Sequence, residues 1–381
     1  MRNYRNGALS LHKKLHGKLT ISSKTSLLTK KKLSLVYTPG VAHAVNYICR
    51  NPASIYDLTI KNNTIAVITD GSAVLGLGNV GPEAALPVME GKCAIFKEFA
   101  DINAFPICLK TQNIDEIVAT IINISPVFGG INLEDISAPR CFEIEKRLQK
   151  ALDIPVMHDD QHATSIVVLA ALINACKVVD KELKKCKVVI VGAGAAGTTI
   201  TKLLNYLNIK NILVVDSQGI ISRYRKELPR YKKELVIITN QNNLEGDLQK
   251  AAIKADILIG VSKKGLFTKQ IIQSMSKNPV VFALANPDPE VTPSNAKKWG
   301  VAVYASGRSD YPNQVNNALV FPGFFKGLLE GKITKITNQM KVNVAKTLAA
   351  LINKSTPNYF IPSIFDKRVV PTIAKSIIDA K

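Results

Sequence analysis

One short run constrains this chain more than any other. Lys187–Val191 reads as a strand and leads directly into Gly192-Ala193-Gly194-Ala195-Ala196-Gly197. A helix-like run, Thr198 to Leu207, follows at once. In a strand–turn–helix of this kind the first glycine permits the tight turn. The second lets backbone approach a pyrophosphate, and the third lets the helix lie close on the strand. The helix N-terminus then offers free N–H groups and the positive end of its dipole to phosphates. Gly-x-Gly-x-x-Gly alone is a weak pattern, and an ordinary Gly-rich turn can carry it. Here the next strand candidate, Ile212 to Asp216, ends in an acid 19 residues after Gly197. That is close to the offset of about 20 expected for an acid that takes a ribose hydroxyl. Gly192, Gly194, Ala195, Ala196, Gly197 and Asp216 are therefore the expected dinucleotide-binding residues. Asp216 accepts a bond from a 2′-hydroxyl and repels a 2′-phosphate, which favours NAD. Arg223 and Arg225 lie just downstream and leave NADP open.

The rest of the chain alternates in the manner that such a strand requires. In the first half the strand candidates are Ile65–Thr69, Ile102–Leu109, Gly130–Leu133 and Pro155–Met157. Helix candidates Pro82–Phe99, Ile114–Ile124 and Arg140–Leu152 separate them. A long apolar run, His162 to Val179, reads as a buried helix bridging two halves. Beyond it come strand candidates Lys187–Val191, Ile212–Asp216, Glu234–Ile238, Asp256–Gly260, Val280–Leu284 and Val301–Tyr304. After Phe321 the pattern is helix, a Pro-containing tail and a short final helix. Alternating strand and helix implies parallel βα units. The expected fold is α/β, with two domains, residues 1–161 and 162–381. Each has a parallel sheet flanked by helices, and the second is of Rossmann type.

Composition narrows the partners. Hydrophobic residues make up 46% and charged residues 21% of the 381, which excludes disorder for the bulk. The formal net charge is +21. The excess is mostly scattered lysine, which reads as a solvated surface rather than a nucleic-acid patch. A dinucleotide and a di-acid are anions as well, so the charge suits small-molecule binding. Six cysteines, none in a C-x-x-C pair, point to a reducing compartment. No uninterrupted apolar stretch reaches the roughly 18 residues of a membrane span, and the N-terminus shows no apolar signal core. The cytoplasm is the expected location, with neither membrane nor nucleic acid as partner.

In parallel α/β sheets, ligands bind beyond the carboxyl ends of the strands. Acids stand at those ends: Asp70, the pair Glu134-Asp135 and the pair Asp159-Asp160, with Asp160 25 residues after Asp135. Carboxylates converging there would suit Mg²⁺ or Mn²⁺; N-caps and exposed loop acids would look the same. His158 and His162, spaced i and i+4, do not make a zinc-protease motif, because Asp159 stands where that motif needs Glu.

Taken together, the segments resemble malic enzyme in its short microbial form, from about Leu33 to Gly327. The resemblance is carried by Ser34–Ala42, Thr69–Gly81, Pro87–Lys92, Asn132–Ile136, His158–His162, Ala283–Pro287 and Gln314–Gly323. It implies Tyr37 as general acid and Lys92 as general base, supported by Asp159. It implies Glu134, Asp135 and Asp160 as metal ligands, with Asn286 and Asn317 holding the substrate and Asn286 also near the cofactor. The implied activity is metal-dependent oxidative decarboxylation of (S)-malate to pyruvate and CO₂ with reduction of NAD(P), through oxaloacetate and enolpyruvate. The resemblance also implies a homodimer or higher homo-oligomer. As base, Lys92 must be neutral, and burial near other positive charge is the expected cause. The chain departs from the family at Ala163, where Gly is usual. It departs again at Ala73, where longer members carry an Arg for a malate carboxylate, and it is expected to lack an acetyltransferase-like extension. Two rival readings share the scaffold: malolactic conversion of malate to lactate with retained NAD, and a non-enzymatic NAD-binding regulator with a degraded site.

Overall fold

The computed structural model describes residues 2–74 and 76–381. Three helices open the chain: α1 (Arg2–Leu15), α2 (Lys30–Val36) and α3 (Val41–Arg50). The first sheet follows, with β1 (Thr64–Thr69), α4 (Pro82–Ala100), β2 (Asn103–Cys108), α5 (Ile114–Ile124), β3 (Gly130–Leu133), α6 (Arg140–Ala151) and β4 (Val156–His158). Its order is β2-β1-β3-β4, all parallel. The long helix α7 (Asp159–Val178) leads to the second sheet. There β5 (Val188–Val191), α8 (Ala195–Tyr206), β6 (Ile212–Asp216), β7 (Gly219–Ile220), α9 (Arg230–Ile238), β8 (Ile257–Gly260), β9 (Val280–Ala283) and β10 (Val303–Ser306) alternate with shorter helices. Three helices close the chain: α10 (Phe321–Glu330), α11 (Asn338–Ala350) and α12 (Val369–Ile378).

The second sheet runs β10-β9-β8-β5-β6-β7. Its strands are parallel except β7, which pairs antiparallel with β6 at the edge. The expectation of a wholly parallel second sheet is corrected at that edge. The expected strand at Glu234–Ile238 is also corrected, because those residues end helix α9. The apolar run Leu235-Val-Ile-Ile238 is β-branched enough for a strand. Yet only Leu235 is buried, and Ile237 is 76% exposed, so the run offers the core one helical contact rather than a strand face. The last strand begins two residues later than expected, at Val303.

Helix α7 is the spine. Its sequence is apolar around nearly the whole circumference, with fourteen residues buried, which is how a helix enclosed by other elements reads. By length and composition it could cross a membrane, but most of it lies inside the fold. One face of each sheet joins α7, α4, α8 and the C-terminal helices in a single core. The far face of the first sheet has its own core against α5 and α6, and the far face of the second has another. Helix α10, although late in the chain, packs on α4: the Phe321 and Phe325 rings lie 4.6 and 5.5 Å from that of Phe96. The C-terminal segment thus closes over the helix that carries Lys92.

Candidate active site

The β5–α8 turn is built as the glycines require. Gly192 has φ +115°, and a Cβ there would fall 2.6 Å from the Val261 carbonyl oxygen. A Cβ on Gly197 would fall 1.8 Å from the Gly192 oxygen, so the helix cannot approach its strand with any other residue. Gly194 is open in front, and the helix starts at Ala195 and Ala196 with no side-chain cap. Its first N–H groups remain available to an anion. A pyrophosphate fits this cradle.

Asp216 ends β6 as expected, but with neighbours that the sequence did not disclose. Arg225 makes a bidentate pair with it at 2.8 and 3.1 Å, Lys232 reaches it at 2.6 Å, and the Gln218 N–H donates to it at 2.9 Å. Burial alone would raise the Asp216 carboxyl; the bonds from Arg225 and Lys232 outweigh it and hold the carboxyl below the usual range. Of the two arginines considered for a 2′-phosphate, the structure brings Arg225 to Asp216. It adds Lys232, which sits in the first turn of α9 and carried no sequence signal of its own.

The acidic site forms at the carboxyl ends of β3 and β4. Glu134, Asp159 and Asp160 each offer an oxygen within 4.8 Å of the others. Asp159 and Asp160 lie in the first turn of α7, which begins three residues earlier than the expected start at His162, where the helix dipole favours carboxylates. Asp135 takes part through its backbone N–H, which donates to Asp160 Oδ2 at 2.9 Å, and its φ of +51° turns the chain there. Asn132 donates to Glu134 Oε2 at 3.0 Å.

Lys92 enters this cluster from α4. Its Nζ stands 2.6 Å from Asp159 Oδ2 and 2.9 Å from Glu134 Oε1, and 4.2 Å above the Phe321 ring. Burial by itself would lower its pKa; Asp159 and Glu134 outweigh that and raise the ammonium above the ordinary lysine range. The expectation of other positive charge beside Lys92 is therefore corrected: its neighbours are acids. Three buried or half-buried carboxylates against one ammonium leave surplus negative charge. Burial and that surplus, opposed by Lys92, push Glu134 well above the carboxylate range. Asp159 Oδ1 is buried with no hydrogen-bond partner among the described residues. Surplus charge, a bare buried oxygen and hard oxygen donors together fit a divalent cation.

Asn317, just after β10 and its loop, donates to Asp159 Oδ2 and so reaches the cluster from the second sheet. Asn286 follows β9, and a Cβ on Gly76 would lie 2.0 Å from its carbonyl oxygen. The second sheet's loop thus meets the first sheet's loop at a position only glycine allows. Tyr37 is the exception: it is 68% exposed, between helices α2 and α3 in which no residue is buried. Two supporting residues were not singled out in the sequence. Arg140 pairs with Asp70 at 2.6 Å. Glu145 of α6 accepts from the His158 N–H, Gln161 Nε2 and His162 Nε2 at 2.8, 3.2 and 3.0 Å, tying down the turn that presents Asp159 and Asp160. An acid on the buried face of an amphipathic helix was the available signal for Glu145.

Comparison with known proteins decides the family. The model of the malic enzyme N-terminal domain matches residues 16–149, and that of the malic enzyme NAD-binding domain matches residues 162–380. The chain belongs to the malic enzyme family. It is 49% identical to a bifunctional malic/malolactic enzyme of Bacillus subtilis, over 99% of this chain and 92% of that one. It is 50% identical to an NAD-dependent malic enzyme of Geobacillus stearothermophilus, over 96% and 76%. The crystal structure of an NAD-dependent malic enzyme from Thermotoga maritima superposes with a TM-score of 0.94 at 45% identity, covering 97% of this chain and 98% of the other. The resemblance read from the sequence and the α/β fold with a Rossmann-type cofactor half are both borne out.

Proposed function

We propose that this malic enzyme family member oxidises and decarboxylates (S)-malate to pyruvate and CO₂ while reducing NAD or NADP. The observation that carries the reading is Lys92 held against Asp159 inside the acidic cluster, facing loops of the dinucleotide-binding sheet. Lys92, as the neutral amine oriented by Asp159, takes the proton of the substrate C2 hydroxyl; Asn286 and Asn317 hold the substrate from the cofactor side. Tyr37 delivers a proton to C3 of enolpyruvate after CO₂ has left. Gly192, Gly194, Ala195, Ala196 and Gly197 would seat the pyrophosphate of NAD(P) and Asp216 would take its ribose; the cofactor would supply the hydride acceptor. Glu134, Asp135 and Asp160 would hold a divalent Mg²⁺ or Mn²⁺, which would polarise the C2 oxygen and offset the negative charge that raises the Lys92 ammonium.

The chain divides near residues 161 and 162 into a substrate half and a cofactor half. A second copy of the chain covers α2 and α3, whose Leu35, Val45 and Tyr47 are 66%, 54% and 55% exposed; an apolar stripe of that kind is an interface in search of its partner. The free cysteines, four of them buried, suit a reducing cytoplasm. The name of the Bacillus subtilis relative favours one second reading, malolactic conversion with retained cofactor. An absorbance assay at the nicotinamide band with malate and Mn²⁺, run with NAD and with NADP and followed by product analysis, tests both. Stoichiometric pyruvate and reduced cofactor are expected. Lactate without net cofactor reduction supports the second reading, and no turnover of malate under any of these conditions leaves the regulator.

A further inference from the structure

Behind the acidic cluster a cavity of about 530 Å³ opens between α6, α7, α8, α9 and the start of α11. Metabolite-sized ligands occupy cavities of roughly 300–1,000 Å³. None of the residues assigned above to malate, metal or cofactor lines it.

Lys341, in the first turn of α11, forms part of its wall and is only 8% exposed. No salt bridge reaches this ammonium among the described residues. Its hydrogen bond is a long one, 3.4 Å to Asn338 Oδ1. A buried ammonium without a counter-ion is costly, and a matching anion recovers that cost. Burial pushes Lys341 below the lysine range, with the charge of Glu145 opposing only in part. Of the other basic groups on the wall, Lys202 meets Glu234 at 2.8 Å, Arg230 meets the same carboxylate at 4.0 Å, and His162 meets Glu145 at 2.9 Å, while Lys146 is exposed. Beside them, the Phe142 and Tyr231 rings lie 5.2 Å apart and give an apolar surface.

We propose that this cavity binds a small organic anion, a carboxylate or a phosphate ester, with Lys341 as its counter-ion and Phe142 and Tyr231 against its carbon body. The site shares a wall with the catalytic turn, because Gln161 and His162 line it and follow directly on Asp159 and Asp160.

The test is calorimetric titration of the full chain, saturated with NAD to block the phosphate cradle, with inorganic phosphate and separately with succinate. Saturable binding of at least one anion is expected. Binding weakens about tenfold or more in Lys341→Met, which keeps the length and loses the charge, and persists in Lys341→Arg. Phosphate alone assigns a phosphate ester, and succinate alone a carboxylate. Tyr231→Trp gives a second readout that does not depend on replacing the lysine: its emission is expected to change over the same concentration range. Absence of saturable binding by either anion, or binding that Lys341→Met leaves unchanged, overturns the proposal.

Discussion

The two halves of this molecule encode their sites in different ways. The phosphate cradle lies within one strand, one turn and one helix, and its constraints are backbone constraints: a positive φ at Gly192 and a Cβ collision at Gly197. The acidic site is assembled from α4, the ends of β3 and β4, the start of α7 and the loop after β10. Its constraints are charges placed across long stretches of sequence. A site of the first kind should fail through shape, and one of the second kind through charge.

The largest effect is expected from charge. Lys92→Ala should reduce malate oxidation by roughly 10²- to 10⁴-fold, the usual contribution of a general base, while NAD binding, measured by calorimetry, stays within a few-fold of the wild type. Loss of NAD binding with the lysine would erase the distinction between the halves.

Gly197→Ala should do the opposite. The added methyl would sit 1.8 Å from the Gly192 oxygen, so helix and turn must separate and NAD affinity should fall by about tenfold or more. Mn²⁺ binding to the acidic cluster, followed by its electron paramagnetic resonance signal, should survive. Equal loss of both would mean that the cradle is not a local device.

A smaller effect is expected at the ribose end. Asp216→Ala releases Arg225 and Lys232 from their carboxylate and removes the acid that accepts the 2′-hydroxyl. The ratio of NAD to NADP efficiency should fall by about tenfold, the worth of one charged hydrogen bond. Steady-state kinetics with both cofactors measures it, and an unchanged ratio would place Asp216 away from the ribose.

The smallest effect concerns stability. Asp256 joins the starts of β5 and β8 by accepting from Lys181, Ser276 and the Lys187 N–H. Burial would raise its pKa, but these bonds outweigh burial and lower it. A depressed carboxylate contributes stability above its unfolded pKa of about 3.9 and loses that contribution as pH falls through the folded value. Asp256→Asn should therefore lower Tm modestly at neutral pH, with the difference from wild type shrinking below about pH 4. A constant difference across that range would mean that the carboxylate charge is not what holds the two strands.

The same contrast explains what the sequence disclosed. Strand, turn and helix at Lys187–Leu207 were legible because local steric rules fix them, and so were the four strands of the first sheet, whose apolar runs are bounded by polar ends. Glu234–Ile238 misled because a β-branched run is ambiguous when tertiary packing decides between helix and strand. Glu134, Asp159 and Asp160 were legible as acids at strand ends, Lys92 and Asn317 only through the family resemblance, and their convergence became visible only in three dimensions. The neighbours of Lys92 were misjudged for a related reason: which side chains surround a group is set by the fold, and spacing along the chain does not say. Arg225, Lys232 and Glu145 act through such surroundings too, and spacing along the chain did not bring them to their partners.

The central claim is that the acidic cluster holds a divalent cation that the reaction at Lys92 requires. The direct measurement is malate-dependent cofactor reduction in the presence of excess chelator, followed by addition of Mn²⁺ or Mg²⁺. The expected result is loss of activity in the chelator and its return with either metal in the wild type, with no return in Asp160→Asn. Full activity in excess chelator, or undiminished activity in Asp160→Asn, would contradict the account.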